Sequence, residues 1–148
     1  MKVSSILALA TGALVSAAPL NERQESGLGD FNISNFVYGC TVTCDWSFDA
    51  TITPKFSHHP AVKKAVHCSG STDITGFQDG TCSDISETQT LRAFIGKKNR
   101  LNLQYEVSFP KEGSTYWYQG GKKVNAATSG KPQATEFVVP EAKASAIA

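Results

Sequence analysis

The sequence predicts an all-β fold: a small antiparallel β-sandwich or β-barrel of about seven strands, held by two disulfides. Two observations favour this class. Apolar and polar residues alternate with a period of two in several stretches, most clearly in residues 101–109, LNLQYEVSF, and such alternation indicates half-buried strands. The chain also has four cysteines, and an even number in an exported protein indicates disulfides.

Residues 1–17 predict a secretory signal peptide, and the product is therefore expected outside the cell. Lys2 precedes an uncharged apolar run that ends in small residues. The run is shorter than the roughly 20 apolar residues that cross a bilayer, and no later stretch is apolar enough to do so. We thus expect no transmembrane segment. Residues 18–30 are polar and punctuated by glycine, which predicts a flexible mature N-terminus.

Charge and length restrict the classes of partner. The chain has 14 Lys+Arg and 13 Asp+Glu, and loss of a leader containing Lys2 leaves 13 of each. A neutral mature protein has no strong long-range field, so neither nucleic acid nor an anionic membrane is expected as the primary partner. The remaining length of about 130 residues suits one small domain, which we place at residues 31–140.

The first half of this domain predicts two strands followed by a loop-rich segment. Phe31, Ile33 and Val37 share one parity, which indicates a first strand. Residues 44–52 indicate a second strand, because Cys, Trp, Phe, Ala and Ile fall on one face and Asp, Ser, Asp and Thr on the other. After these we expect a loop at residues 57–60, one helical turn within 60–66, a short strand at 65–68 and a long loop at 69–86.

The second half predicts a β-hairpin and two further strands. The hairpin comprises residues 89–95 and 100–109 around a turn at 96–99. Short strands are expected at residues 114–119 and 135–139, with a turn at Gly120-Gly121, and residues 141–148 predict a disordered tail.

The four cysteines, Cys40, Cys44, Cys68 and Cys82, predict two disulfides. They include no CxxC pair, which argues against zinc and against a redox pair. If residues 40–44 are extended, the first two Cα atoms lie roughly 13 Å apart, beyond the about 4.4–6.8 Å of a disulfide. We therefore expect each of Cys40 and Cys44 to pair with Cys68 or Cys82, with the choice between the two left open.

A candidate contact surface follows from three consecutive aromatic residues, Tyr116, Trp117 and Tyr118. Neighbours on a strand face opposite sides, so either Trp117 is buried with both tyrosines outside, or the reverse holds. Together with Lys122 and Lys123, the exposed rings would suit contacts with a protein or a sugar ring.

A second surface feature is the sequon Asn32-Ile33-Ser34, the only one in the chain. It predicts N-glycosylation of Asn32, provided that this side chain faces solvent.

A catalytic set is hard to assemble from these residues. His58 and His59 are expected at a solvated loop tip, and no serine lies in a GxSxG motif. In small secreted fungal ribonucleases, glutamate, arginine and histidine come from separated strands, and Glu106 and Arg92 would be their counterparts here. Because no histidine follows His67, a separated acid and base are difficult to build. The sequence predicts no enzymatic activity, no cofactor and no metal.

The layout nevertheless has a family resemblance. The leader ends in AAP and is followed by LNERQ, residues 31–36 read FNISNF, and four cysteines lie in a small all-β domain. In these features the chain resembles the secreted fungal hypersensitive-response-inducing elicitors and the Alternaria major-allergen-type β-barrel family. Members of the allergen type carry a cysteine pair late in the chain, whereas no cysteine follows Cys82 here, so the elicitor type is the better match.

The resemblance implies a secreted fungal effector or elicitor, a virulence protein that binds a plant surface component and provokes defence responses or cell death. Its partner would be a host protein or a component of the cell wall or membrane surface, and no catalytic residues are carried over. The alternatives are a carbohydrate- or cell-wall-binding module and a small ribonuclease-like hydrolase.

Overall fold

The structure is a computed structural model that describes residues 28–55, 59–72 and 78–148. The predicted signal peptide and residues 18–27 of the predicted flexible N-terminus lie outside the described residues, as does His58.

The fold is all-β, as predicted, and consists of one antiparallel sheet. Within the described residues its eight strands are β1 (Gly29–Cys40), β2 (Cys44–Pro54), β3 (Val62–Thr72), β4 (Gln78–Cys82), β5 (Gln89–Gly96), β6 (Arg100–Phe109), β7 (Ser114–Lys123) and β8 (Phe137–Ile147). Their order in the sheet is β4-β3-β2-β1-β8-β7-β6-β5. The two edge strands, β4 and β5, contact each other, so the sheet is nearly closed into a barrel.

The core lies inside this barrel and is supplied by alternate residues of the strands. The predicted inner face of β2 is confirmed, because Trp46, Phe48, Ala50 and Ile52 are buried. The predicted hairpin of β5 and β6 is also confirmed. In β6 the buried residues are Leu101, Leu103, Tyr105 and Val107.

Closure of the barrel depends on a glycine in β4. A Cβ atom at Gly80 would lie 2.8 Å from the carbonyl oxygen of Ala93 on β5 and 2.7 Å from the indole ring of Trp46. Both separations are shorter than normal contact distances. Only a residue without a side chain therefore lets β4 approach β5 while the indole ring packs beneath it.

We expect Gly80→Ala to lower the free energy of unfolding by about 1–3 kcal/mol, the usual cost of overpacking, as measured by urea denaturation. Gly39→Ala is the matched control, since a Cβ atom there meets nothing within 4 Å. Equal losses in the two variants would contradict the role assigned to Gly80.

The predicted inner face of β1 is wrong at Val37, which is 58 % exposed. The pairing with β2 shifts register between Ser34 and Val37, and Asn35 adopts a left-handed φ of 53°. This β-bulge inserts an extra residue. Phe36 and Tyr38 therefore point into the core in place of Val37.

Two disulfides are present, but the predicted pairing is wrong. The bonds join Cys40 to Cys44 and Cys68 to Cys82. Residues 40–44 are not one extended strand, because a hairpin loop separates β1 from β2 and Thr41 N donates to Thr43 O at 2.9 Å. Cys40 and Cys44 thus lie directly opposite each other, with their Cα atoms 3.9 Å apart. Cys68 and Cys82 are cross-strand neighbours on β3 and β4.

Several boundaries also differ from the prediction. The helical turn expected within residues 60–66 is wrong because β3 begins at Val62, and the loop expected at 69–86 contains the end of β3 and all of β4. Gly120 and Gly121 lie within β7 and form no turn. The disordered tail expected at 141–148 is wrong for residues 141–147. Backbone pairing with β7, from Gly120↔Glu141 to Thr115↔Ile147, orders this segment despite its low strand propensity.

Candidate functional site

The strongest candidate for a functional site is the outer face of the last four strands. Residues that alternate with the core positions point away from the barrel here, and the strand register aligns them in rows. We call this face the β5–β8 platform. Its members are Arg92, Phe94, Arg100, Asn102, Gln104, Glu106, Trp117, Gln119, Gly121, Lys123 and Lys143.

The central row of the platform crosses all four strands. Arg92 pairs with Gln104, Gln104 with Gln119, and Gln119 with Lys143. Gln119 Nε2 donates to Gln104 Oε1 at 2.7 Å, which uses one polar group of each amide. The NH₂ group of Gln104 and the carbonyl oxygen of Gln119 can therefore meet a ligand. Three strand spacings separate the two cations by roughly 14 Å at the backbone.

Lys143 reaches this face because β8 is irregular. Val139 and Glu141 are buried, so strict alternation would turn Lys143 inward as well. A register shift opposite Gln119 and Gly120 changes the parity. Lys143 then pairs with outward-facing Gln119 and is exposed.

The next row towards the start of β7 holds Trp117 in place. Trp117 Nε1 donates to Glu106 Oε2 at 2.6 Å across the β6–β7 pair. A hydrogen bond to a charged acceptor is stronger than one between neutral groups. The bond fixes the indole ring against the sheet, and it gives the only carboxylate among the platform members a partner.

The row on the other side forms a shallow groove of about 340 Å³. Gly121 provides its floor, and a Cβ atom there would lie 2.7 Å from the Arg100 guanidinium. The arginine side chain therefore lies across the glycine backbone. Phe94, 47 % exposed, stands beside it, and Asn102, Gln104, Gln119 and Lys143 also line the groove.

Charge is unevenly distributed over the barrel, although the chain is nearly neutral. The platform carries four cations, Arg92, Arg100, Lys123 and Lys143, against the single carboxylate of Glu106. On the outer face of β2, by contrast, the charged residues are Asp45 and Asp49. The prediction of a weak overall field thus overlooked a local cationic surface.

The five residues of the predicted contact surface do not form one surface. Tyr118 is buried and Tyr116 packs against the core, so of the two arrangements considered the one with both tyrosines inward applies. Lys122 has the same parity as the two tyrosines, because it pairs with buried Leu101. It is exposed, and its Nζ is 5.2 Å from the centre of the Phe137 ring. Only Trp117 and Lys123 belong to the platform. The polar residues that alternate at positions 102–106 indicated which face of β6 points outward. They did not indicate which strands lie beside β6 on that face.

The interior of the barrel holds a polar pair that sequence reasoning missed. His59 Nε2 lies 2.6 Å from Glu141 Oε1, and neither side chain is accessible to solvent. The imidazole ring stacks on Tyr118 with 4.0 Å between centroids and lies 5.4 Å from Tyr105. The expectation that His59 occupies a solvated loop tip is therefore wrong. Burial, with a smaller contribution from the Glu141 charge, raises the pKa of Tyr118 to about 12.

The geometry of this pair favours a structural role over catalysis. His59 Nδ1 lies 3.3 Å from the carbonyl oxygen of Pro60, which can only accept a hydrogen bond. Nδ1 is therefore the donor in this bond, and Nε2 faces the Glu141 carboxyl group. Both ring nitrogens are engaged within the protein, so neither can take a proton from a substrate. Burial raises the pKa of Glu141, against the hydrogen bond and charge of His59, which lower it.

A second histidine lies on the outside of the barrel. His67 Nδ1 is 2.9 Å from Asp49 Oδ1, and Asn35 Nδ2 donates to Asp49 Oδ2 at 2.9 Å. The hydrogen bond from Asn35, followed by that from His67, lowers the pKa of Asp49. Within residues 28–55, 59–72 and 78–148, no three or more His, Cys, Asp or Glu side chains are grouped so that they could hold a metal.

The sequon lies on the outer face of β1, opposite the buried Phe31 and Ile33. Asn32 Nδ2 donates to Thr53 Oγ1 at 2.8 Å and to Thr51 Oγ1 at 3.3 Å. The outward orientation meets the steric condition for modification, and glycosylation of Asn32 stays a prediction.

Comparison with family models, with curated proteins and with solved structures finds no match to this chain. In the part of the chain that the structure describes, no helix is long and apolar enough to cross a membrane.

Proposed function

We propose that this protein is a secreted, non-enzymatic elicitor that acts by binding a surface component of a plant host through the β5–β8 platform. The observation that carries this proposal is the platform itself: two partly exposed aromatic rings, an amide pair and four cations on one rigid sheet face. Aromatic and arginine side chains contribute most of the binding energy at contact surfaces.

The platform is suited to binding because several of its side chains already have contacts within the protein. Trp117 is held by Glu106 and Gln119 by Gln104, while the Arg100 side chain lies across Gly121. Side chains that are already immobilised lose little conformational entropy on association, which otherwise costs about 0.5–1.5 kcal/mol for each one.

The same contacts support the non-enzymatic part of the proposal. The ribonuclease-like alternative needs Glu106 as a general base or acid, but this carboxylate accepts the indole N–H of Trp117 at 2.6 Å. His59 lies inside the barrel and His67 on the outer face of β3. Among the described residues, no histidine therefore stands with Glu106 and Arg92.

The test is infiltration of the purified mature protein into leaves, with the oxidative burst as the readout. We expect the wild-type protein to elicit a burst and the double variant Arg100→Gln/Lys143→Gln to lose most of it. Lys63→Gln/Lys111→Gln is the matched control, because it removes the same charge from exposed positions away from the platform. An inert wild-type protein across several hosts, or an active platform variant, would overturn the proposal.

A second candidate is a carbohydrate- or cell-wall-binding module without eliciting activity. It is favoured by the Gln104–Gln119 amide pair with Phe94 and Trp117 on either side, since amides and aromatic faces are suitable partners for sugar hydroxyls and rings. Co-sedimentation with chitin or glucan without an oxidative burst would select this candidate.

A further inference from the structure

We propose that the ligand of the β5–β8 platform is an acidic polysaccharide, a polymer of uronate sugars whose carboxylates meet the platform cations. The inference rests on the proposed function in that it takes the platform as the contact surface, and it names the chemical class of the ligand. Four cations against one carboxylate, which itself has a partner in Trp117, make the surface complementary to a polyanion.

The order of groups along the central row suits a polymer of acidic sugars. A chain laid across the strands meets Arg92, then the Gln104–Gln119 amide pair, then Lys143. Amides can bind the sugar hydroxyls in both donor and acceptor roles, while arginine can bind a carboxylate through two parallel hydrogen bonds. The row spans roughly 14 Å, so its groups would contact successive sugar units.

The groove beside this row adds a second point of contact. The Arg100 side chain lies across the Gly121 backbone, and Phe94 lines the same groove, so an anionic group and an adjoining sugar face can bind there together. Lys123, the neighbour of Arg100 across the β6–β7 pair, adds a further positive charge. A neutral glucan would leave these cations without partners.

An anionic membrane is a poorer match for the same surface. A surface that binds a membrane carries exposed apolar side chains beside its cationic groups. The apolar side chains insert between the lipids while the cations contact the headgroups. The most exposed large apolar residue of the described chain, Val42 at 81 %, lies in the β1–β2 loop. On the platform, Trp117 is tied to Glu106 and lies only partly exposed.

The experiment measures binding of the purified protein to polygalacturonate by isothermal titration calorimetry. We expect the affinity to fall as the salt concentration rises from about 0.05 M to about 0.5 M, because salt screens the attraction between the platform cations and the carboxylates of the polymer. Methyl-esterified polygalacturonate, which lacks the carboxylate charge, and neutral glucan should bind at least about tenfold more weakly, as expected when hydrogen bonds to charged groups are lost.

Variants then assign the binding to the platform. Arg100→Gln and Lys143→Gln should each weaken binding about tenfold, whereas Lys63→Gln and Lys111→Gln should leave it unchanged. Circular dichroism and thermal unfolding check that all four remain folded. Equal affinity for the esterified polymer, equal effects of the control variants, or binding to vesicles of anionic lipid but not to polygalacturonate would overturn the inference.

The two proposals fail in different ways. If the platform variants lose the oxidative burst but the wild-type protein does not bind polygalacturonate, the ligand class is wrong and the elicitor function stands. If polygalacturonate binding depends on the platform and the burst does not, the platform is not the eliciting surface and the proposed function is wrong.

Discussion

Replacement of His59 by alanine is expected to lower the free energy of unfolding by about 3–5 kcal/mol, because it leaves a buried carboxyl group without its partner. Glu141 is inaccessible to solvent, and its second oxygen has no hydrogen-bond partner among the described residues. Loss of the imidazole also removes a ring stacked on Tyr118. Guanidinium denaturation measures the change.

The matched control is His67→Ala, which removes the other described histidine that contacts a carboxylate. That pair is exposed, with 60 % of the His67 side chain accessible, and exposed pairs contribute about 0–1 kcal/mol. Equal losses in the two variants would show that burial does not determine the effect.

The same pair should make stability depend on pH through Glu141. Burial raises its pKa above the ordinary value of 4.5, so the folded protein binds the proton more tightly than the unfolded chain. This contribution is complete below pH 4.5 and is lost as pH rises through the raised pKa. Stability should therefore fall with a slope of at most about 1.4 kcal/mol per pH unit in that window.

Glu141→Gln isolates this contribution, because the amide keeps the size of the side chain and can still bond to His59 but does not titrate. We expect the variant to lack the slope just above pH 4.5, in urea melts recorded across the range. The other charged groups that act on Glu141, Asp30 and Lys55, are retained in both proteins. An unchanged slope in the variant would assign the pH dependence to another group.

Removal of the Cys68–Cys82 disulfide is expected to have the second large effect. The bond closes a sequence separation of 14, for which loop-closure entropy predicts about 3 kcal/mol. Cys68 is fully buried in the core, so the double variant Cys68→Ala/Cys82→Ala also loses packing there. Thermal unfolding should give this variant a lower midpoint temperature than the double variant that lacks the Cys40–Cys44 disulfide.

Cys40→Ala/Cys44→Ala is the comparison. This bond closes a separation of only 4, so the same relation gives about 2 kcal/mol, and the ladder between β1 and β2 keeps the hairpin together. Peptide mapping without reduction should recover Cys40 linked to Cys44 and Cys68 to Cys82. A crosslink between the two pairs, or a larger effect of the short loop, would contradict the assignment.

The local alternation of apolar and polar residues was sufficient to predict the strands whose pairing partners are close in sequence. The inner face of β2 and the hairpin of β5 and β6 followed from alternation, because a strand with one buried face must alternate and a short turn sets the register of a hairpin. The even number of cysteines indicated two disulfides for a similar reason: it depends on composition and compartment, not on long-range contacts.

The tertiary structure decided whatever depends on the meeting of distant segments. His59 and Glu141 are 82 residues apart, and no local pattern brings a loop histidine into a barrel against a residue from an expected disordered tail. That segment is part of β8 because its backbone pairs with β7. Two changes in the backbone also depart from a regular extended strand: the hairpin loop between Cys40 and Cys44, and the bulge at Asn35. The alternation of apolar and polar residues does not predict either of them.

The sequence by itself thus determined that the chain forms an antiparallel sheet with two disulfides, since period-two alternation is a property of neighbouring residues and the number of cysteines is a property of composition. The tertiary structure alone decided which residues share a surface. The platform exists because the register of four strands aligns Arg92, Gln104, Gln119 and Lys143 in one row. The short turn between β5 and β6 sets the first part of this register. The position of β8 beside β7 depends on how the whole barrel closes around its core, and no single segment contains that information.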